Sequence, residues 1–272
     1  MIALIDFDSL LYESVYKIVS YRQMKEAISN YGKETAKQWL LEEIYHEGVN
    51  RAENQLLKMQ NYLNDIFFEE IDSYELYITT CSKSFRKQIG HEYKANRKPN
   101  KYVFLLREHY RNNGALNSEV YEADDLIADR AKELGKGNFI VVSIDKDLKQ
   151  IPGYYWSYYK VKSKDHEGNL IINDYGFPES EYRQKTVTYI TPKESRDIFW
   201  KQVLQGDPGD NIKGLHRVGP KTAEKIISVD KNPFIRTARE YITRNQKDDF
   251  WFTYHLIKLG SRDIELIKIN RN

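Results

Sequence analysis

Cysteine is all but absent from this 272-residue chain: Cys81 stands alone. That excludes an internal disulfide framework and fits a reducing compartment. Long apolar runs are missing too; the longest, around Phe139-Ile140-Val141-Val142, falls far short of the ~20 residues that span a bilayer. The opening residues, MIALIDFD, lack the basic flank and cleavage region of a secretory leader. No Gly/Ser linker, long repeat or low-complexity segment interrupts the chain. Net charge is nearly absent, +2 from 42 Lys+Arg and 40 Asp+Glu. These absences predict a soluble, cytoplasmic protein without membrane contact.

What is present is core-forming material and sharply segregated charge. Apolar residues make up 40% of the chain and 21 residues are tyrosine, which excludes a disordered protein. From Lys83 to Arg111 nine residues are Lys or Arg and only Glu92 and Glu108 are acidic, whereas the stretches around 6–8, 122–129 and 145–147 are acidic. A basic strip beside an acidic cluster suits a metal nuclease, one sign gripping phosphates and the other holding the metals that cut them.

MIALI reads as a buried strand running into Asp6-Phe7-Asp8, residues 34–70 as helix, and Tyr74–Thr79 as a second strand. EADDLIADRAKEL, residues 122–134, reads as a helix stopped by Gly135 and Gly137, and FIVVSI as a third strand entering Asp145-Lys146-Asp147. Residues 154–172 suggest a β-hairpin turning near Glu167-Gly168-Asn169, and the pattern becomes helical from about residue 190. The alternation predicts an α/β protein: a mostly parallel central sheet flanked by helices, followed by a helical lobe. Such sheets bind ligands at the carboxyl ends of their strands. Asp6, Asp8, Asp145 and Asp147 fall there by topology.

EADD places Glu122, Asp124 and Asp125 within four positions. Acids in a first helical turn can simply offset the macrodipole, Asp145 and Asp147 can be turn residues, and Asp8 can cap a helix. Convergence on one edge favours a second role, oxygen ligands for hard divalent ions. Seven acids (Asp6, Asp8, Glu122, Asp124, Asp125, Asp145, Asp147) exceed what one Mg²⁺ uses, which predicts two or more ions. In GDPGDN, Asp207 and Asp210 are either helix caps or the last members of that cluster.

Downstream, Gly214-Leu215-His216-Arg217-Val218-Gly219 followed by Pro220-Lys221-Thr222-Ala223 reads as a tight hairpin opening a helix, a helix-hairpin-helix signature. Its free N–H groups attract phosphate and its glycines allow close approach. The DNA-facing candidates are Gly214, Val218, Gly219, Lys221 and Thr222; Thr222 is also read as packing with Ala223 and Ile226. In SFRKQIGHEYKANRK, residues 84–98, Lys94 and Arg97 would share a helix face. Phe85, Tyr93 and Tyr102 offer rings for stacking unpaired bases or for a core, and Arg86 adds a cation. His91, His109 and His216 lack metal-ligand spacing.

Taken together, LIDFDSLLY, FRKQIGHEYKANRK, EADDLIA, SIDKDL and GDPGDNIKGLHRVGPKTA resemble, in order over roughly residues 1–230, the 5′-3′ exonuclease and flap endonuclease family. That family includes phage replication exonucleases and the 5′-nuclease domain of bacterial DNA polymerase I. The resemblance implies a PIN-like nuclease lobe over 1–189, with a basic arch at about 83–111, and a helix-three-turn-helix DNA-binding lobe over 190–272. It implies a metal set of Asp6, Glu122, Asp124, Asp125, Asp145, Asp147, Asp207 and Asp210. Lys94 and Arg97 would ride on a mobile helical arch and reach the scissile phosphate, and with Asp145 they form the catalytic set. Mg²⁺, with Mn²⁺ as a substitute, would support phosphodiester hydrolysis by water on DNA with a free 5′ end, nick or flap, leaving 5′-phosphates. K⁺ would bind at the hairpin through carbonyls. One departure stands out: Thr79 occupies a position where most members carry an aspartate. Asp8, where many relatives have a small residue, is the candidate to compensate. A DNA-binding protein with impaired catalysis and a primer-removing nuclease acting on RNA–DNA hybrids are the competing expectations.

Overall fold

The computed structural model describes all residues except 17, 20, 68–70, 91, 163, 173–179, 184–186, 230–231 and 262–272. The chain runs β1 (Ile2–Asp6), α1 (Asp8–Ser14), α2 (Tyr21–Tyr31), α3 (Lys33–Ile66), β2 (Ser73–Tyr77), α4 (Phe85–Ile89), α5 (Lys101–Asn112), α6 (Ala123–Leu134) and β3 (Phe139–Val142). A 3₁₀ turn (Lys146–Gln150) leads to β4 (Gly153–Trp156), β5 (Tyr159–Lys162), β6 (Ser180–Arg183) and β7 (Thr188–Ile190). Four helices follow: α7 (Pro192–Gln205), α8 (Pro220–Ser228), α9 (Pro233–Thr243) and α10 (Lys247–Ile257).

The central sheet has the order β2-β1-β3-β4-β7, parallel except for β7. Its inner strands β1 and β3 are apolar as far as Asp6, the last residue of β1, as expected of strands buried on both faces. Ala3, Ile5, Ile140 and Val142 point into a core with α1, α3 and α5, while Leu4, Phe139 and Val141 point the other way, toward Ala123, Ile127 and Ala131 of α6. This period-two split fixes the register, since a one-residue slip would reverse both faces.

Two expectations about strands change. Gly153–Trp156 is not a hairpin arm but the fourth parallel strand, with Tyr155 and Trp156 buried in it. The turn at residues 165–169 holds, however: Asp165 accepts from the N–H groups of Glu167 and Asn169, and Gly168 supplies φ +89°. The second strand ends at Tyr77, short of Thr79.

The basic strip is not one helix. α4 stops at Gly90, which is extended (φ −139°, ψ 103°), and residues 92–96 form turns in which Lys94 takes φ +53°. α5 then lies on the core with Val103, Leu106 and Tyr110 buried. Phe85, Ile89 and Tyr93 join Trp200, Val203, Leu204, Ile226, Tyr241 and Phe250 in the core built by α7–α10. Those rings are thereby removed as platforms for stacking bases. His91 lies outside the described residues. Among the described residues, no helix is long and apolar enough to cross a membrane.

Candidate metal centre and nucleic-acid interface

The parallel strands deliver the acids. Asp6 ends β1, buried, and accepts from Ser143 Oγ at 2.6 Å and Ser9 Oγ at 3.2 Å. Beyond β3, Asp145 caps the 3₁₀ turn by accepting from Asp147 N at 2.9 Å, and the Tyr155 hydroxyl clamps the loop by donating to the carbonyls of Ser143 and Asp145. α6 opens with Glu122 as N-cap and Asp124 and Asp125 in its first turn. From the helical lobe come Asp207, which accepts from Gly209 N at 2.8 Å, and Asp210. Glu122, Asp124, Asp147, Asp207 and Asp210 all line one small cavity of about 20 Å³. The two lobes meet on that cavity.

Charge is poorly balanced there. Burial, then repulsion from Asp8 and Asp145, pushes the Asp6 carboxyl up to about 7. Burial, then Asp6 and Asp145, raises Asp124 well above the carboxylate range. Burial, then Asp145 and Asp207, raises Asp147 to about 7, although Gln202 donates to it. Glu122 behaves oppositely: burial would raise it, but Lys94 and Arg86 hold it below its ordinary value. An all-oxygen, net-anionic donor set is what hard divalent cations require. Asp6, Asp124, Asp145, Asp147 and Asp207 are the residues that fit such ions. Among the described residues no three His, Cys, Asp or Glu side chains already converge as a complete metal-binding group. Binding there would have to draw carboxylates together.

Several candidates have other employment. Asp125 is fully buried and takes both Arg86 guanidinium nitrogens, at 2.6 and 2.8 Å, as well as the N–H groups of Glu122 and Gly260. Its oxygens face that ion pair rather than a metal. Arg86, 2% exposed and also donating to the Leu256 and Lys258 carbonyls, cannot reach DNA. Asp8 does not cap α1; it pairs with Arg107 at 2.8 Å and accepts from Thr79 N at 3.1 Å. Lys94 lies 2.6 Å from Glu122 and 3.6 Å from Asp210, and Arg97 pairs with Asp210.

Within the hairpin the candidates separate. A Cβ on Gly214 would sit 2.1 Å from the Gln205 backbone, so this glycine serves a chain crossing, and Val218 is buried packing. Gly219 has open space, caps α8 ahead of Pro220, and stands beside exposed Lys221 and Thr222. Thr222 therefore does not pack as Ala223 and Ile226 do. The sequence reading took Tyr93 only as a ring and missed its hydroxyl, which donates to Glu122 at 2.9 Å and to Asp210 at 3.2 Å, and it missed Ser143 and Gln202 altogether. Ser143 alone left a signal, two positions ahead of Asp145 after a buried strand.

The fold of this chain is shared with T5 5′-exonuclease. The solved structure of that protein with divalent metal ions (zinc) bound superposes at a TM-score of 0.51 and 12% identity, covering 100% of this chain and 97% of that one. In sequence the chain resembles the 5′-3′ exonuclease and flap endonuclease family. It is 33% identical over 165 residues to a 5′-3′ exonuclease of Aquifex aeolicus, covering 56% of this chain and 51% of that one. It is 33% identical over 159 residues to flap endonuclease Xni of Shewanella halifaxensis (54% and 55%). It is 32% identical over 157 residues to DNA polymerase I of Rhizobium leguminosarum (54% and 14%). The chain thus spans about half the length of the curated nucleases it matches and a small part of the polymerase. No protein-family model matches it.

Proposed function

We propose that this chain is a Mg²⁺-dependent 5′-3′ DNA exonuclease with flap-endonuclease capacity, acting as a monomer on duplexes with a free 5′ end, nick or flap in replication or recombination. The observation that carries the reading is the shared cavity walled by Glu122, Asp124, Asp147, Asp207 and Asp210 from both lobes. Residues 1–189 would form the nuclease lobe and 190–272 the duplex-gripping lobe, with segment 83–111 passing between them. Two Mg²⁺, or Mn²⁺ in their place, would supply water activation and leaving-oxygen stabilisation. The chain's own groups do the rest. Gly219 N–H and Lys221 would hold the duplex backbone without reading sequence, and the hairpin is where a K⁺ would add its charge. Lys94 and Arg97, once off Glu122 and Asp210, neutralise the phosphate under attack. Water gives up a proton as its oxygen bonds to phosphorus, and the P–O3′ bond breaks as O3′ takes one, leaving a 5′-phosphate and a 3′-hydroxyl. Asp8, its carboxylate already at Thr79 N, positions the segment that follows β2, at the place where the family resemblance implies an acid.

A 5′-labelled duplex, flap and RNA–DNA hybrid, each incubated with Mg²⁺ and wild type or Asp145→Asn, test this. Cleavage of DNA by wild type alone is expected; no cleavage of any substrate sinks the enzymatic reading. One observation favours a second reading, a structure-specific DNA-binding protein with impaired catalysis: Asp8 is neutralised by Arg107 and position 79 offers no acid. Flap binding without cleavage would support it. Preferential cleavage of the hybrid would point to primer removal.

A further inference from the structure

β1 and β3 pair in a register that runs from Ile2 beside Phe139 to Ile5 beside Val142. One step further, the same register sets Asp6 beside Ser143. Each stands two residues beyond a side chain that faces α6, Leu4 in one strand and Val141 in the other, so the strand period carries both out toward the acidic start of that helix. Ser143 is fully buried and its backbone is held at both ends. Its N–H donates to the Trp156 carbonyl at 3.2 Å, and its carbonyl accepts from the Tyr155 hydroxyl at 2.8 Å. From that fixed origin Ser143 Oγ accepts from Asp145 N–H at 2.9 Å and donates to Asp6 Oδ2 at 2.6 Å. The direction is forced: a backbone N–H only donates, so the single hydroxyl proton is left for Asp6. Ser9 Oγ adds a second donor to the same carboxylate oxygen, at 3.2 Å. Among the described residues no hydrogen bond reaches Asp6 Oδ1.

We infer that Ser143 is a positioning residue of the proposed metal centre. It commits Asp6 Oδ2 to hydroxyl donors, leaving Oδ1 as the oxygen offered to an ion, and it ties the Asp145 backbone to the same point. Ser143 touches neither metal nor substrate; it acts through the two acids. Acids on neighbouring strands cannot fix one another, because like charges push apart. A neutral hydroxyl can, since it accepts from the backbone of one acid while donating to the carboxylate of the other. Groups that orient a metal's carboxylate ligands in this way typically govern affinity or activity by about 10–100-fold. The role rests on the metal-binding reading of Asp6 and Asp145, and adds to it the link that holds β1 and β3 in one site.

The test titrates Mn²⁺ into the DNA-free full chain, followed by electron paramagnetic resonance. Ser143→Ala should weaken Mn²⁺ binding by about 10–100-fold and raise the Mg²⁺ concentration for half-maximal cleavage by a similar factor. Its affinity for duplex in EDTA should stay at the parent value. Ser143→Cys keeps the shape, and so the fold, with only a weak S–H donor; it should weaken Mn²⁺ as Ser143→Ala does. Ser143→Thr, which keeps the hydroxyl, should return most of the lost affinity. Ser9→Ala removes the longer bond, one that does not reach Asp145, and should weaken Mn²⁺ less than Ser143→Ala. A purely structural serine would lower the melting temperature in EDTA and leave Mn²⁺ affinity alone. That result overturns the inference, as does a Ser143→Thr no better than Ser143→Cys, a Ser9→Ala weaker than either, or a parent that binds no Mn²⁺. A parent that binds Mn²⁺ but cleaves no substrate overturns the nuclease reading instead, and the ratio of Mn²⁺ affinities still decides the role of Ser143.

Discussion

Lys94 Nζ lies 2.6 Å from Glu122 Oε2. A cation suited to a scissile phosphate is thus held by an acid suited to a metal-binding cluster, and each must give up the other before either does that work. Lys94→Met should therefore raise the affinity of the DNA-free protein for Mn²⁺, by about three- to tenfold, while lowering cleavage. Titration followed by electron paramagnetic resonance checks the first effect. Unchanged Mn²⁺ affinity would show that the ion pair does not compete with metal.

Asp125 belongs with Arg86 rather than with the metals. Asp125→Ala leaves a buried guanidinium unpaired and should cost about 3–5 kcal/mol in urea unfolding. Mg²⁺ should not recover the loss. Asp124→Asn should behave in the opposite way, leaving stability near or above the parent without metal and reducing the rise in melting temperature that Mg²⁺ gives.

Acidity should stabilise the metal-free protein. Asp6 and Asp147 have carboxyls raised from 3.8 to about 7 in the fold. The folded state therefore takes up protons between those values, and its stability falls as pH rises from about 4 through 7. With EDTA, the melting temperature should be higher at pH 5.5 than at pH 8. Saturating Mg²⁺, which binds the ionised forms, should narrow the gap. A higher value at pH 8 without metal would contradict the clustering of these acids.

Two glycines of one hairpin should part company. Gly214→Ala forces a Cβ to 2.1 Å from the Gln205 backbone and should destabilise by about 3 kcal/mol, the upper end for overpacking. Gly219→Ala meets nothing within 4 Å and should leave stability within about 1 kcal/mol, while weakening duplex binding in a gel-shift titration.

Asp8→Asn should lower the cleavage rate about tenfold, the scale of a positioning loss, without shifting the Mg²⁺ concentration for half-maximal rate. A shifted Mg²⁺ dependence would make Asp8 a direct ligand. No change in either would remove it from the site.

The sheet was legible in the sequence because buried parallel strands are short apolar runs, and two of them, β1 and β3, end in acids or lead into them. Tyr154–Trp156 was not legible, since a tyrosine-rich stretch carries the same pattern in a hairpin arm as in a buried strand. The placement of Asp6, Asp145 and Asp147 followed from topology alone. The fate of Asp125 did not, because a carboxylate one residue from Asp124 gives no hint that Arg86 lies beneath it. Nor could helical spacing foresee that Gly90 breaks the basic strip and turns Phe85 and Tyr93 inward. A run of cations with interleaved aromatics reads equally well as a solvent-facing helix.

Arg86 also sets a timetable. Its guanidinium donates to the carbonyl of Leu256, 170 residues further along the chain, and Phe85 and Tyr93 belong to a core completed only by α10. On a ribosome adding about 5–20 residues per second, that interval is on the order of ten to thirty seconds. Through it the segment joining sheet and helices has neither its core nor its carbonyl partners. The first half of this protein cannot finish folding until nearly all of the second half has been made.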